Sequence, residues 1–313
     1  MSDTLPPFPY PVIVDTDVGD DIDDTWTLML ILADKRFDVR MIVLTNFDTE
    51  YKLKLTAKML ERIGRTDIPL VVTPSVHVPE NYRRGQESWI GDYDLSAYPG
   101  VVIRDDWEEA VAQQILSSAQ KTCIFELAPN TSLAALLRYA PAIVDNCFVF
   151  AMAGAVNGSY ETLDRVVGEF NVACDADAAR QVFRSNLDYT MLPLDVCARI
   201  RVKDEAYKRF LSIRSVYADI IRENYRCWLE NAFFENDNDD TKASSILFDW
   251  IVPWYALYPE NFCTVCSPLY VDEQNVTVAA ARGEYGTVRF AKSVKNTAQM
   301  IDACLTVLAG GAT

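Results

Sequence analysis

The chain of 313 residues has a single histidine, His77. That scarcity comes close to excluding two classes of active site, zinc centres built on imidazole and Ser-His-Asp triads. His77 itself lies in a proline-rich loop and reads as a surface residue. Basic residues are also few: 29 Lys and Arg face 45 Asp and Glu, a net charge of −16. An acidic balance of this size argues against electrostatic binding to nucleic acid or to an anionic membrane. No apolar run approaches the length of a membrane span. The opening MSDTLPPFPY has neither a basic n-region nor an apolar h-region, so a cytoplasmic protein with no signal peptide is expected. Of eight scattered cysteines, only Cys263 and Cys266 form a CxxC, and a zinc ribbon needs a second pair. Cys123, Cys147, Cys197 and Cys304 sit in apolar surroundings and read as buried thiols.

What the chain has in excess is aspartate in one place. Residues 11–24 read PVIVDTDVGDDIDD, and six of the ten residues from Asp15 to Asp24 are aspartates. The β-favouring run Val12-Ile13-Val14 enters the acids, and the apolar run Trp26 to Leu32 leaves them. The pattern predicts a buried strand, an acidic loop and a buried helix. Carboxylates crowded together repel and raise one another's pKa values. A hard cation such as Ca²⁺ or Mg²⁺ relieves that repulsion, and carboxylate oxygens suit those ions better than Zn²⁺. A solvated acidic turn is the plainer reading, but the run stands at the end of an apolar strand, where open α/β sheets bind ligands. The EF-hand pattern fails, because Gly19, Asp20 and Trp26 occupy its third ligand, glycine and twelfth positions. An aspartyl phosphatase of the haloacid dehalogenase type, with Asp15 as nucleophile, fits Asp15-Thr16-Asp17-Val18 but has Gly19 where Thr or Val belongs.

Strand and helix patterns alternate along the rest of the first two-thirds. Strands are expected at 12–16, 38–45, 68–72, 121–127, 147–152 and 188–192, and helices at 23–35, 50–64, 106–119, 132–140 and 176–183. Asp175 is the expected N-cap of the last of these. This alternation predicts an α/β fold, an open, mostly parallel sheet flanked by helices. Residues 73–104 lack periodicity and read as a lid loop. A helical segment is expected over about 203–257, broken at Asn236–Asp240 and carrying Asp249 on an apolar helix from Ser245 to Leu257. Strands at 261–271 and 286–291 and a last helix at 295–308 complete the chain, with no linker, so 1–313 reads as a single domain.

The acidic stretch resembles the amino-terminal signature of the inosine/uridine-type nucleoside N-ribohydrolases, strand-D-x-D-x-G-x-D-D followed by a small-apolar helix. Asp23-Asp24 precedes the helix directly and is the preferred match to the Asp pair; Asp20-Asp21 has the short-form spacing and is a rival alignment. Further matches follow in order. Asn46 ends the second strand, and Ala128-Pro129-Asn130-Thr131-Ser132 is similar to the family's G-P-L-T-N, with Ser132 replacing the usual asparagine. Met152-Ala153-Gly154-Ala155 looks like M-G-G-A, and Glu169-Phe170-Asn171 matches E-F-N.

The resemblance implies Ca²⁺-dependent hydrolysis of the N-glycosidic bond of ribonucleosides to ribose and free base. It implies Asp17, Asp24, Asp249 and the Thr131 carbonyl as metal ligands, Asp17 as general base, and Asp15 in support. Asp23, Asn46, Glu169 and Asn171 would hold the ribose hydroxyls. Trp89 and Tyr93 of the lid loop are candidate stacking partners for the base. The resemblance further implies a role in purine or pyrimidine salvage and a homo-oligomer, dimer or tetramer. Several family members carry a histidine just before the last calcium aspartate, which protonates the leaving base; this chain has Phe248 there. Tyr225, Trp228 and Tyr255 are the aromatic candidates to replace it. A non-catalytic descendant that binds ribose or a nucleoside is the alternative that Phe248 and Ser132 keep open.

Overall fold

The computed structural model describes residues 5, 7–76, 78–160, 165–231, 242–280 and 286–311. His77 and the Asn236–Asp240 break therefore lie outside the described residues. Among the described residues, ten strands form one sheet: β1 (Tyr10–Thr16), β2 (Phe37–Leu44), β3 (Leu70–Val72), β4 (Val102–Ile103), β5 (Thr122–Glu126), β6 (Cys147–Ala151), β7 (Asp188–Met191), β8 (Phe262–Val271), β9 (Thr277–Ala279) and β10 (Thr287–Val294). Their spatial order is β4-β3-β2-β1-β5-β6-β7-β10-β8-β9. Pairing is parallel from β4 through to β10 and antiparallel only at β10–β8 and β8–β9.

Side-chain alternation along β1 explains why the sheet is covered on both faces. Val12 and Val14 enter one core, with Trp26 and Leu28 of helix α1 (Asp23–Ala33) and the helices Asp204–Ser212, Val216–Asn231, Ile251–Leu257 and Thr297–Leu308. Ile13 points the other way, into a second core with the helices Trp107–Leu116, Thr131–Tyr139 and Ala176–Phe183. A strand buried on both faces reads as a continuous apolar run, as Val12-Ile13-Val14 does.

The strand order places the acidic loop. From β1 the chain steps outward to β2, β3 and β4, then returns to β5 on the other side of β1 and continues to β6 and β7. Connections leaving two adjacent strands in opposite directions open a crevice at their carboxyl ends. Here those strands are β1 and β5, paired with Asp15 opposite Glu126.

Two helical expectations are redrawn. The stretch 203–231 is two helices, because Ile213 takes an extended ψ of 131° and Ser215 starts a new helix by accepting a hydrogen bond from the Ala218 amide at 3.2 Å. The expected helix over 245–257 begins only at Ile251, after a single 3-10 turn, Phe248–Trp250. Pro253 accounts for this: it has no amide hydrogen, so it is tolerated in the first turn of a helix and not in its interior. Asp249 is thus held on a tight turn, not along a helix face.

Candidate active site

The acids at the β1/β5 crevice are buried, and each is placed by a different local device. Gly19 lets the chain turn after β1. Its φ is +106°, and a Cβ there would lie 2.7 Å from the Tyr51 ring, so the loop needs glycine for both conformation and space. The Thr16 hydroxyl, at the end of β1, accepts from the Val18 amide at 3.1 Å and donates to Asp24 Oδ1 at 2.5 Å. Asp23 and Asp24 open α1, where the exposed amides of a helix start favour negative charge. Asp23 Oδ2 accepts from the Asp249 amide at 3.1 Å, which docks the 3-10 turn onto the start of α1.

These devices bring Asp23, Asp24 and Asp249 together, with one carboxylate oxygen from each within 4.8 Å of the others. All three are buried. Burial and the neighbouring carboxylates push all three well above the usual carboxylate range. Three buried, mutually repelling oxygen ligands are what a hard divalent cation neutralises, so the residues fit Ca²⁺ or Mg²⁺. Asp23, which the family resemblance assigns to the sugar, is thus part of the carboxylate trio. Asp17 stands beside it, close enough to raise all three. The Asp23-Asp24 alignment is the one whose residues meet Asp249; Asp20 is engaged elsewhere, and Asp21 Oδ1 accepts from the Ile22 amide at 2.6 Å.

Asp17 is 3 % exposed, and its Oδ2 accepts from Asn46 Nδ2 at 3.0 Å. Burial, then Asp20, pushes its pKa up to about 8. Asn46 and Phe47 both have positive φ, 63° and 44°, and this pair of left-handed residues turns the Asn46 amide back toward Asp17. Asparagine tolerates that region readily; phenylalanine does not, and such strain is typical of functional loops. Behind the loop, Lys52 of helix α2 (Thr49–Ile63) is fully buried. Its ammonium donates to the Asp17 carbonyl at 2.9 Å and pairs with the Asp20 carboxylate, which also accepts from the Tyr82 hydroxyl at 2.6 Å.

The remaining predicted residues divide. Glu169 caps the short helix Phe170–Cys174 and accepts from the amides of Gly154 at 2.7 Å, Asn171 at 2.7 Å and Val172 at 3.1 Å. Asn171 Nδ2 donates to the carbonyls of Leu127 and Met152, both at 3.0 Å, tying this helix to the ends of β5 and β6. Thr131 opens the helix after β5, and its hydroxyl donates to Asp175 Oδ2 at 2.8 Å. Asp15 points into the second core, where it accepts from Ser132 and sits near Glu126. Burial pushes Asp15 up to about 7.

Trp89 and Tyr93 are not among this group. The Trp89 indole N–H donates to Glu223 at 2.8 Å and its ring lies under the Lys58 ammonium, while the Tyr93 hydroxyl donates to Glu61 at 2.7 Å. Tyr225 and Tyr255 are core residues packed on Trp26 and on Phe150 and Phe262. The part of the 73–104 segment that reaches the acids is 82–86. There Tyr82 bonds Asp20, the Gln86 amide donates to the Tyr51 hydroxyl at 2.9 Å, and Gln86 Oε1 accepts from Thr25 at 2.7 Å. Sequence reasoning missed Tyr82 and Lys52, and missed Tyr160, whose ring packs edge-to-face on Phe248 at 6.0 Å.

The model of the family described as inosine-uridine preferring nucleoside hydrolase matches residues 12–309. The chain belongs to that family. It is therefore a hydrolase acting on N-glycosyl compounds. Among relatives, the pyrimidine-specific ribonucleoside hydrolase RihA of Escherichia coli O9:H4 is 27% identical over 269 residues, covering 82% of each chain. The fold is shared with a plant nucleoside hydrolase, PpNRh1, at a TM-score of 0.80 and 18% identity, covering 96% of this chain and 99% of that one. It is likewise shared with a purine-preferring ribonucleoside hydrolase from Gardnerella vaginalis, at a TM-score of 0.78 and 18% identity over 96% and 98% of the two chains. For a nucleoside hydrolase, a cluster of acids at the centre of the sheet suits a reaction that develops positive charge on the sugar.

The raised carboxyls make the metal-free protein sensitive to pH. An acid whose folded pKa exceeds its unfolded value binds more protons folded than unfolded, so stability falls as pH rises. For Asp15 and Asp17 the fall spans from the usual value of 3.8 to about 7 and about 8. The expected result is a lower Tm in chelator at pH 8 than at pH 5, with the difference reduced when Ca²⁺ is supplied. A metal-free Tm that rises over this interval would contradict the assignment of these acids as buried and unneutralised.

Proposed function

We propose that the chain hydrolyses the N-glycosidic bond of ribonucleosides to ribose and free base with Ca²⁺ bound at the carboxylate trio. The observation that carries this reading is the meeting of Asp23, Asp24 and Asp249 beside Asp17 at the β1/β5 crevice. In this reading Asp24 and Asp249 are ligands, with Asp17 and the Thr131 carbonyl completing the set. Asp23 lies close enough to share the ion or to meet the sugar beside it. The bound ion would lower the pKa of a water held against it. Asp17, oriented by Asn46, would accept the proton of the attacking water. Asn46, Glu169, Asn171 and Asp23 form the sugar side, where contacts that tighten as the ring flattens contribute to turnover. Cytoplasmic salvage of nucleosides and assembly as a homodimer or homotetramer belong to the same reading.

The test is ribose release from inosine, uridine, adenosine, guanosine and cytidine, with and without chelator, alongside Tm measured on adding Ca²⁺. Chelator-sensitive release is expected, together with a Tm increase equivalent to about 2.7 kcal/mol at a Ca²⁺ concentration 100 times Kd. Asp249→Asn should abolish that increase. Relatives differ in base preference, one being described as pyrimidine-specific and another as purine-preferring, so both classes belong in the panel. No release from any nucleoside, with ribose still bound, would favour the non-catalytic reading.

A further inference from the structure

We propose that the Tyr160 hydroxyl donates a hydrogen bond to the departing base, supplying the leaving-group contact that Phe248 does not. The inference rests on the nucleoside hydrolase reading and concerns a residue outside the set assigned so far. When the N-glycosidic bond breaks, its electron pair passes to the base, and the base nitrogen or a conjugated oxygen gains negative charge. A donor placed there lowers the barrier. The acids of the pocket are acceptors when ionised, and the Phe248 ring has no donor.

Tyr160 links the segment that carries Asp249 to the one that carries Glu169. Its ring packs on Phe248, the residue before Asp249, at 6.0 Å between centroids with planes 83° apart. Its hydroxyl oxygen accepts from the Phe170 amide at 2.8 Å, one residue after Glu169. That bond uses an oxygen lone pair and leaves the phenolic proton, which has no acceptor among the described residues. The phenols of Tyr82, Tyr51 and Tyr225 have spent theirs, and the unpartnered Tyr189 hydroxyl is buried on the strand β7 near Glu126. Tyr82 donates to Asp20, and Tyr51 donates to the Gly19 carbonyl at 3.4 Å. Tyr225 donates to the Ala243 carbonyl at 3.1 Å. Burial, with Glu169 nearby, raises the Tyr160 pKa, so the group stays neutral and keeps its proton at physiological pH. It therefore acts as a hydrogen-bond donor to developing charge; no proton leaves it.

An aromatic rim continues from this residue. Phe170 is 45% exposed and lies 6.4 Å from Phe47, which in turn packs edge-to-face on Tyr82 at 5.4 Å.

The test compares Tyr160→Phe with the native enzyme on two substrates, the best nucleoside of the panel and p-nitrophenyl β-ribofuranoside. The nitrophenolate leaves without a donor, while both substrates share the sugar, the metal and the water. The expected result is a kcat on the nucleoside lowered about 100-fold, the low end of the loss on removing one hydrogen-bond donor to developing charge, with a much smaller change on the nitrophenyl riboside. The variant keeps the ring against Phe248, and the Phe170 amide it releases belongs to an exposed residue that water can reach. Equal losses on both substrates would overturn the proposal and make Tyr160 a sugar contact or a structural residue. Unchanged kcat on both would overturn it as well. If the native enzyme cleaves neither substrate, the hydrolase reading itself fails, which is visible before any variant is made.

Discussion

Asp17→Asn is expected to lower kcat by about 10³-fold, within the range that removing a positioned general base produces, while leaving ribose binding within a few-fold of native. The substitution preserves shape, and the amide can keep a hydrogen bond to Asn46 after Asn46 flips its own amide, since Asn46 Nδ2 now donates to Asp17 at 3.0 Å. The folded structure should even gain slightly without metal, because one of several mutually repelling buried carboxylates is gone. The combination to look for is a large loss of kcat in a protein whose metal-free Tm is no lower than native. A kcat within tenfold of native would remove Asp17 from the role of base and pass it to another acid of the pocket. Loss of Ca²⁺ binding together with kcat would show ligation to be its larger contribution. Ca²⁺ titration followed by Tm separates the two.

Lys52→Met is expected to be the most destabilising single change near the site. Lys52 is completely buried, and its ammonium is the cation that faces Asp20 and the Asp17 carbonyl. Met matches its length and fills its space, so the cost is electrostatic: Asp20, 10 % exposed, would keep only the Tyr82 hydroxyl and a long 3.5 Å bond from the Asn46 amide. Breaking a buried pair by removing one partner typically costs about 3–5 kcal/mol, enough to be read directly from the midpoint of a urea unfolding curve. The double variant Lys52→Met with Asp20→Asn should recover much of the loss, because the orphaned charge is gone too. If the double variant is as unstable as the single, packing and not charge explains Lys52. A single variant within about 1 kcal/mol of native would mean that the pair contributes little, as many exposed ion pairs do.

The sequence made the strand-to-acid step readable because three levels agreed there: β-branched residues, then a glycine with aspartates, then an apolar helix. The β1/β5 crevice follows from topology, which alternating patterns imply without stating the strand order. Asp249 was legible as an acid alone in an apolar stretch, but its setting was not. The helix expected around it is cut short by Pro253, and the 3-10 turn that remains is what docks onto Asp23. Trp89 illustrates the opposite case. Nothing local distinguishes a tryptophan that stacks on a ligand from one whose indole bonds to a glutamate 134 positions away. Lys52 did leave a signal, a lysine among Leu53, Leu55, Thr56 and Met59 of a helix that buries them all. A cation on such a stripe needs a buried partner, and the aspartate-rich loop was the obvious supply. Tyr160 left none, since its value comes from a spare proton and a neighbour nearly ninety residues later.

The contact between Asp23 and the Asp249 amide joins positions 226 apart in a chain of 313. A ribosome must therefore deliver most of the polypeptide before the carboxylate trio can exist, and a fragment ending before residue 249 has no such site to fill. Contacts this remote in sequence form late, after the entropy of closing a very long loop has been overcome. An ion bound across them would be absent from the early folding events, so its stabilisation would fall on the rate of unfolding and leave the rate of folding almost untouched. Such an ion would then act on this protein as a latch against opening, and its removal would shorten the lifetime of the native state without hindering its formation.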